Sequence, residues 1–378
     1  MYLFGFGKKK KKDVVKSRDK GQTRDHLDRT LVKEDKDVEP DSKKKDKKDN
    51  SCKTRISNRT ITTTKRNVAD LSDCKKLVHG FVENTLKKGV QGLRAEFASH
   101  KRVLDMTKLT VFLKNPAKNR YKDVGCLDET RVVLKDNGDN DYIHANYVST
   151  PTSEKRFICC QAPLDSTCVE HWKMIVQERV EVILMLCNLT EKGAKKCADY
   201  FPAEEGHSKT FDKYTIKAVK TSKVKLPCPT TANIRLTKLV VEENGNRIHS
   251  VDHYHWVDWP DRGVPPADLA PIHLLNRVSG TQSPIVVHCS AGIGRTGSIV
   301  LIQYTLESIN TGQTCENMDT LLLKLRKQRA NSVQTDHQYL YVHQVLLNHF
   351  LKEGFLDKNV TPLLEGFTTQ YKKFVITG

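Results

Sequence analysis

No apolar run in this sequence approaches the roughly 18 residues that a membrane-spanning helix needs. The longest candidate, EVILMLCNL, is bounded by polar residues on both sides. A secretory leader is also not expected, because MYLFGFGKKKKK carries its apolar and basic parts in the reverse order. Tyr2 stands where myristoylation requires glycine. The 11 cysteines contain no C-x-x-C pair, and a chain of 378 residues can bury enough surface to need no disulfide framework. There is no internal repeat. These absences predict an intracellular chain with reduced thiols, cytoplasmic or also nuclear, in which the N-x-S/T triplets at Asn58, Asn188 and Asn359 are chance.

Charge is plentiful and uneven. Lys and Arg number 63 against 45 Asp and Glu, for a formal net charge of +18. Residues 1–70 hold 22 basic and 12 acidic residues, so more than half of that excess belongs to one end. The segment 1–72, with KKKKK at 8–12 and KKKDKK at 43–48, has too few apolar residues to offset its ordering entropy and is expected to be a disordered tail. Such a tail suits nucleic acid, an anionic membrane surface or an acidic protein, or is simply solvated.

The composition changes at SDCKKLVHGFVENTLKKGVQGLRAEF. Val78, Phe81, Val82, Leu86, Val90, Leu93 and Phe97 recur mostly at spacings of three and four, predicting an amphipathic helix after an N-cap at Ser72. From about 130 to 290, β-rich runs such as KRFICCQ, EVILMLC and ANIRLTKLVV alternate with turns, and Asn244-Gly245 predicts a two-residue hairpin loop. Helical patterns appear at CVEHWKMIVQE and ADLAPIHLLNRV and dominate after 294. The fold class is therefore α/β or α+β, one domain over 73–352 with a large twisted mixed sheet flanked by helices, followed by a C-terminal tail at 353–378.

The informative stretch is PIVVHCSAGIGRTGSIV, a buried strand, a tight loop and a helix start. Gly292, Gly294 and Gly297 permit a loop whose N–H groups, from Ser290 through Ala291, Gly292, Ile293 and Gly294, turn inward at the positive end of a helix, which suits a phosphate-like group. A cysteine on the floor of such a nest has its thiolate favoured, so Cys289 is a candidate nucleophile. Arg295 offers a two-donor fork to phosphate oxygens, and Thr296 a hydroxyl near the sulfur. A Cys followed six residues later by an Arg is expected by chance in a chain with 11 cysteines; the strand, glycines and helix around it make the signal. A nucleotide P-loop is excluded, because Arg295 stands where G-K-S/T would be required.

HCSAGIGRTG resembles the signature loop of the protein tyrosine phosphatases, and other strings follow in the family's order. The resemblance implies that Asp261 in WPDRGVP is a general acid and then a base on a movable loop, with Trp259 and Pro265 as packing and hinge residues. It implies that Gln334 in SVQTDHQYLYVH positions water with Gln338 as accessory, and that Tyr121 and Asp123 in KNRYKDV bind the phosphotyrosine ring and the substrate backbone. By the same match Glu191 orients Arg295, Lys196 approaches the loop of Asp261, and His288 supports the nucleophile loop. DYIHANYV, CQAPL, HWKMIVQE and EKGAKKCADYFP match motifs without chemistry. His144, Ala162 and Phe201 depart from the usual Asn, Gly and Trp, and Arg262 and Asn331 are expected near the pocket rim. The implied activity is hydrolysis of phosphotyrosine in proteins through a cysteinyl-phosphate, with no metal and no cofactor. The alternatives are a binding module on the same fold that captures phosphotyrosine without turnover, and a dual-specificity enzyme, against which the KNRY loop argues.

Overall fold

An apolar strand feeding a reactive loop needs cover on both faces and paired neighbours on both edges, and the chain supplies both. The computed structural model describes residues 69–377 apart from 102, 136, 137 and 139. The lysine-rich segment 1–68, its expected disorder and its expected partners lie outside the described residues. The helices are α1 (Leu71–Ser99), α2 (Thr110–Lys114), α3 (Cys168–Gln177), α4 (Ala270–Arg277), α5 (Arg295–Asn310), α6 (Met318–Arg326), α7 (Asp336–Lys352) and α8 (Thr361–Thr377). The strands are β1 (Arg131–Val133), β2 (Tyr142–Thr150), β3 (Ser153–Cys160), β4 (Val182–Met185), β5 (Thr190–Glu191), β6 (Ala194–Lys195), β7 (Ser208–Phe211), β8 (Tyr214–Lys223), β9 (Ile234–Glu243), β10 (Asn246–Trp256) and β11 (Ile285–His288).

Nine strands form one mixed sheet in the order β1-β2-β3-β11-β4-β10-β9-β8-β7, and β5 and β6 pair separately. The inner strands β3, β11, β4 and β10 are mutually parallel, and the outer pairings are antiparallel. Both β4 and β11 are buried at every position, as their unbroken apolar runs require. The register brings Cys160, His288, Met185 and His255 into one row. Four strands therefore end level, and the segments that follow them converge on one side, where open α/β sheets bind ligands. The predicted hairpin is present: Asn244 and Gly245 have φ of 52° and 78° between β9 and β10.

α5 is buried along nearly its whole length, packed between β2, β3 and β11 and the helices α1, α4, α6 and α7. Two expectations are corrected at the edges. The N-cap of α1 is Asp70 rather than Ser72: the Asp70 carboxylate accepts from Ser72 N–H at 3.2 Å, so Ser72 is already inside the first turn. The segment after 352, read as a tail, contains α8, which packs on α1 and α7 and buries Leu364, Phe367 and Tyr371. Its C-terminal half returns to the start of α7, where Phe374 stacks on His337 at 4.3 Å and lies under the Arg94 guanidinium at 4.2 Å. Among the described residues no helix is long and apolar enough to cross a membrane.

Phe81 of α1 is fully buried, stacked on His343 and edge-on to Phe350 of α7. Phe81→Ala should destabilise the fold by about 3–5 kcal/mol. The urea midpoint would fall without a change of slope; an unchanged midpoint would mean that α1 is not part of the cooperative core.

Candidate active site

Immediately after β11 the chain turns back on itself as a loop pressed against the end of β3. Gly292 has φ of 69°, and a Cβ there would lie 2.0 Å from the Cys160 carbonyl oxygen. Gly297 is constrained by approach alone, because its Cβ would sit 2.5 Å from Val333 N. The turn leaves Cys289 buried, with its sulfur accepting from Gly292 N–H at 3.3 Å. α5 starts at Arg295 with Gly294 as a cap lacking a side-chain bond, so its first N–H groups stay available to an anion.

Burial pushes the Cys289 thiol up, but the Arg295 guanidinium and the hydrogen-bonding groups of Thr296 and Gly292 outweigh it and hold the thiol below its ordinary value. The Thr296 hydroxyl is buried and, together with the Thr296 N–H, is among the groups that favour the thiolate. Two neighbouring thiols behave oppositely: burial pushes Cys187 well up, and Cys159 to about 12.

Arg295 is almost fully buried and held by a fork on Glu191, with Nη1 donating to Oε1 at 2.5 Å and Nη2 to Oε2 at 2.8 Å. Nη1 also donates to Trp259 O at 3.1 Å and Nη2 to Asp261 Oδ1 at 3.1 Å. Asp261 Oδ2 lies 2.9 Å from Lys196 Nζ. Burial alone would raise the Asp261 carboxyl; Lys196, Arg295 and Arg262 together hold it below the usual range, while Asp261 raises Lys196 in return. Trp259 anchors this loop, buried edge-on against Trp256 and Tyr341.

Across the cavity, Tyr121 hydrogen-bonds through its hydroxyl to Ser290 Oγ at 2.8 Å, and Ser290 Oγ donates to Lys196 O at 3.1 Å. Gln338 closes a reciprocal cap with Thr335 at the start of α7, and its Oε1 accepts from Gln334 N–H at 2.8 Å. Thr335 Oγ1 donates to Arg262 O at 3.4 Å, joining the glutamine segment to the loop of Asp261. One cavity is thus lined by Tyr121, Asp123, Lys196, Asp261, Arg262, Cys289, Ser290, Ala291, Gly294, Arg295, Gln334 and Gln338. Gly292, Ile293 and Thr296 lie in the loop and helix start beneath it, Glu191 behind Arg295, and His288 below Cys289 with Nε2 2.7 Å from Tyr200 Oη. Asn331, expected near the rim, is instead buried with φ of 59° and does not line the cavity.

The sequence reading passed over Arg329. This fully buried guanidinium donates from Nε to Gly292 O at 3.1 Å, from Nη2 to Ala291 O at 3.1 Å and from Nη1 to Asn146 Oδ1 at 2.8 Å, fixing the carbonyls of the loop so that its N–H groups face the other way. In the string LRKQRAN nothing separates it from its basic neighbours. Val333 was missed too: it is held at φ of 62°, strained for a β-branched residue, while its N–H donates to Ile293 O at 2.8 Å. The departures are absorbed in the core, with Phe201 stacked on His253 at 3.9 Å and Ala162 N–H donating to Ser290 O at 3.0 Å. Cys187, Cys197 and His288 bring donor atoms within 4.8 Å of one another, but none lines the cavity, and the Cys197 thiol already donates to Ala198 O.

The family model described as Protein-tyrosine phosphatase matches residues 115–348. Human receptor-type tyrosine-protein phosphatase zeta is 35% identical over 252 residues, covering 63% of this chain and 11% of that protein. Human tyrosine-protein phosphatase non-receptor type 4 is 34% identical over 256 residues, covering 66% of this chain and 26% of that protein. The matched part thus spans well under a third of the length of either relative. The solved structure of PTPN18 in complex with HER2 phosphor-peptides superposes with a TM-score of 0.62 at 29% identity, over 72% of this chain and 99% of that one.

The lowered Cys289 thiol has a direct readout. Alkylation of Cys289 by iodoacetamide, followed by mass spectrometry, should remain fast as pH falls below the ordinary thiol value of about 8.5. Thr296→Val should move that profile toward higher pH; a coincident profile would remove Thr296 from the set of groups that stabilise the thiolate.

Proposed function

The chain belongs to the protein-tyrosine phosphatase family, and from that membership we propose that it hydrolyses phosphotyrosine in proteins through a cysteinyl-phosphate intermediate, residues 73–352 forming the catalytic unit. The observation that carries the reading is the convergence of a lowered thiol, a buried guanidinium fork and a carboxylate in one cavity.

In the first step the Cys289 thiolate attacks phosphorus while the bond to the tyrosyl oxygen breaks and Asp261 gives that oxygen its proton. The loop N–H groups and Arg295 stabilise the charge on the equatorial oxygens. Without substrate, Asp261 is ionised by its contacts with Lys196 and Arg295. A phosphate dianion on Arg295 offsets that positive charge and repels the carboxylate, which raises its pKa and lets it carry the proton it must deliver. In the second step Asp261 takes a proton from water held by Gln334. The water oxygen attacks phosphorus, the S–P bond breaks, and the thiolate returns to the stabilisation of Gly292 N–H and Thr296. Tyr121 packs on the substrate ring, Asp123 receives substrate backbone N–H groups, and His288, Glu191 and Lys196 support the loops.

Phosphotyrosine proteins are the proposed substrates, in keeping with the phosphopeptides on PTPN18. A cytoplasmic location is proposed by likeness to the non-receptor type 4 relative. Attraction of the basic segment 1–70 to acidic protein, anionic membrane or nucleic acid rests on its charge alone.

The deciding experiment is turnover of a phosphotyrosine peptide beside a matched phosphothreonine peptide, in reductant and chelator. Turnover of the first far above that of the second, abolished in Cys289→Ser, is expected; peptide binding without hydrolysis by the wild type would replace the enzyme with a binding module. Asp261→Ala should slow phosphoenzyme formation by about 10²–10⁴-fold, with peptide affinity kept. Gln334→Ala should give a burst of tyrosine followed by slow turnover, and the lack of a burst would remove the residue from the second step.

A further inference from the structure

The recognition segment 118–124 is clamped at both ends by buried side chains. Upstream, Gln161 accepts from Arg120 N–H at 2.9 Å and donates to Lys118 O at 2.8 Å. Downstream, the clamp is His144 of β2, which is 1% exposed and whose Nε2 lies 2.8 Å from Val124 O. Its other ring nitrogen, Nδ1, lies 3.2 Å from Arg329 Nη1.

These partners leave one tautomer. A carbonyl only accepts, so Nε2 carries the hydrogen; a guanidinium only donates, so Nδ1 presents its lone pair. Burial and the nearby Arg329 charge push the imidazole down to about 3, which keeps the ring neutral at physiological pH. A continuous path results: the Val124 carbonyl is bound by His144, His144 by Arg329, and Arg329 by the carbonyls of Ala291 and Gly292. On the cavity side a second link, from Tyr121 to Ser290, joins the same two loops. Two links, one below and one above, set the separation between the Tyr121 ring and the loop that holds phosphate.

We propose that His144 is a positioning residue that sets the depth of the cavity, and through it the preference for aryl over alkyl phosphate monoesters. The proposal rests on the reading of this cavity as a phosphotyrosine site. An amide could offer the same two functions, its nitrogen donating to the Val124 carbonyl and its oxygen accepting from Arg329. His144→Leu removes both partners but leaves Arg329 bonded to Gly292, Ala291 and Asn146, so the phosphate loop stays formed while the recognition segment relaxes.

The test compares wild type, His144→Leu and His144→Asn for kcat and KM on the phosphotyrosine and phosphothreonine peptides, and for inhibition by inorganic phosphate. In His144→Leu, KM for the phosphotyrosine peptide should rise about tenfold, the effect of freeing the Val124 carbonyl from its buried side-chain hydrogen bond, with kcat little changed. The ratio of kcat/KM for phosphotyrosine over phosphothreonine should fall by a similar factor while inhibition by inorganic phosphate is unchanged. His144→Asn should restore the ratio. Nitrogen-15 NMR of the wild-type imidazole should show a protonated Nε2 and an unprotonated Nδ1, a reading that needs no variant to fold. The opposite tautomer, an unchanged ratio in the leucine variant, a loss of phosphate inhibition equal to the rise in KM, or an asparagine variant that folds but behaves like leucine would each overturn the proposal. A wild type that turns over neither peptide would instead strike the functional reading beneath it.

Discussion

The site depends on a buried ion pair. Arg295 and Glu191 have side chains 3% and 7% exposed, and removing either partner of such a pair costs about 3–5 kcal/mol because the other is left uncompensated. The fork between them fixes the plane of the guanidinium, and that plane decides the rest. It lets Nη1 reach the Trp259 carbonyl and Nη2 reach Asp261, and it sets the positive charge beside the Cys289 sulfur. One interaction therefore orients the anion-binding fork, draws the loop of the acid inward and favours the thiolate.

The sheet makes this pairing geometrically available. Because Cys160, His288, Met185 and His255 share a row, the segments after β3, β11, β4 and β10 start at the same level. The nucleophile follows β11, Glu191 and Lys196 follow β4, and Trp259 and Asp261 follow β10. Parallel strands give this convergence naturally, since their C-terminal ends lie on one side. A shift of one register position would turn each following side chain to the opposite face.

What was legible in the sequence was local. The strand, glycines and helix around Cys289 could be read from 17 consecutive residues, and the strings bearing Asp261, Gln334 and Tyr121 were identifiable because each packs its meaning into a short segment. What was not legible depends on contacts between distant segments. Arg329 looks like any basic residue just beyond α6 until burial against the loop carbonyls gives it a task. Asp70 and Ser72 are both good capping residues, and only the backbone distinguishes them. α8 was partly visible: Leu364, Phe367, Tyr371 and Phe374 recur at helical spacing after Pro362, but a reading bounded by the resemblance ends before them.

The return of α8 to the start of α7 has a consequence for how the protein is made. A nascent chain that has reached residue 348 already contains every group lining the cavity, yet it lacks Phe374, which stacks on His337 between the two glutamines. Synthesis adds roughly 5–20 residues per second, so the interval is short. During it the residues of the nucleophile loop are all present without the aromatic brace on the neighbouring helix, so the order of translation places every group of the cavity ahead of the helix that braces it.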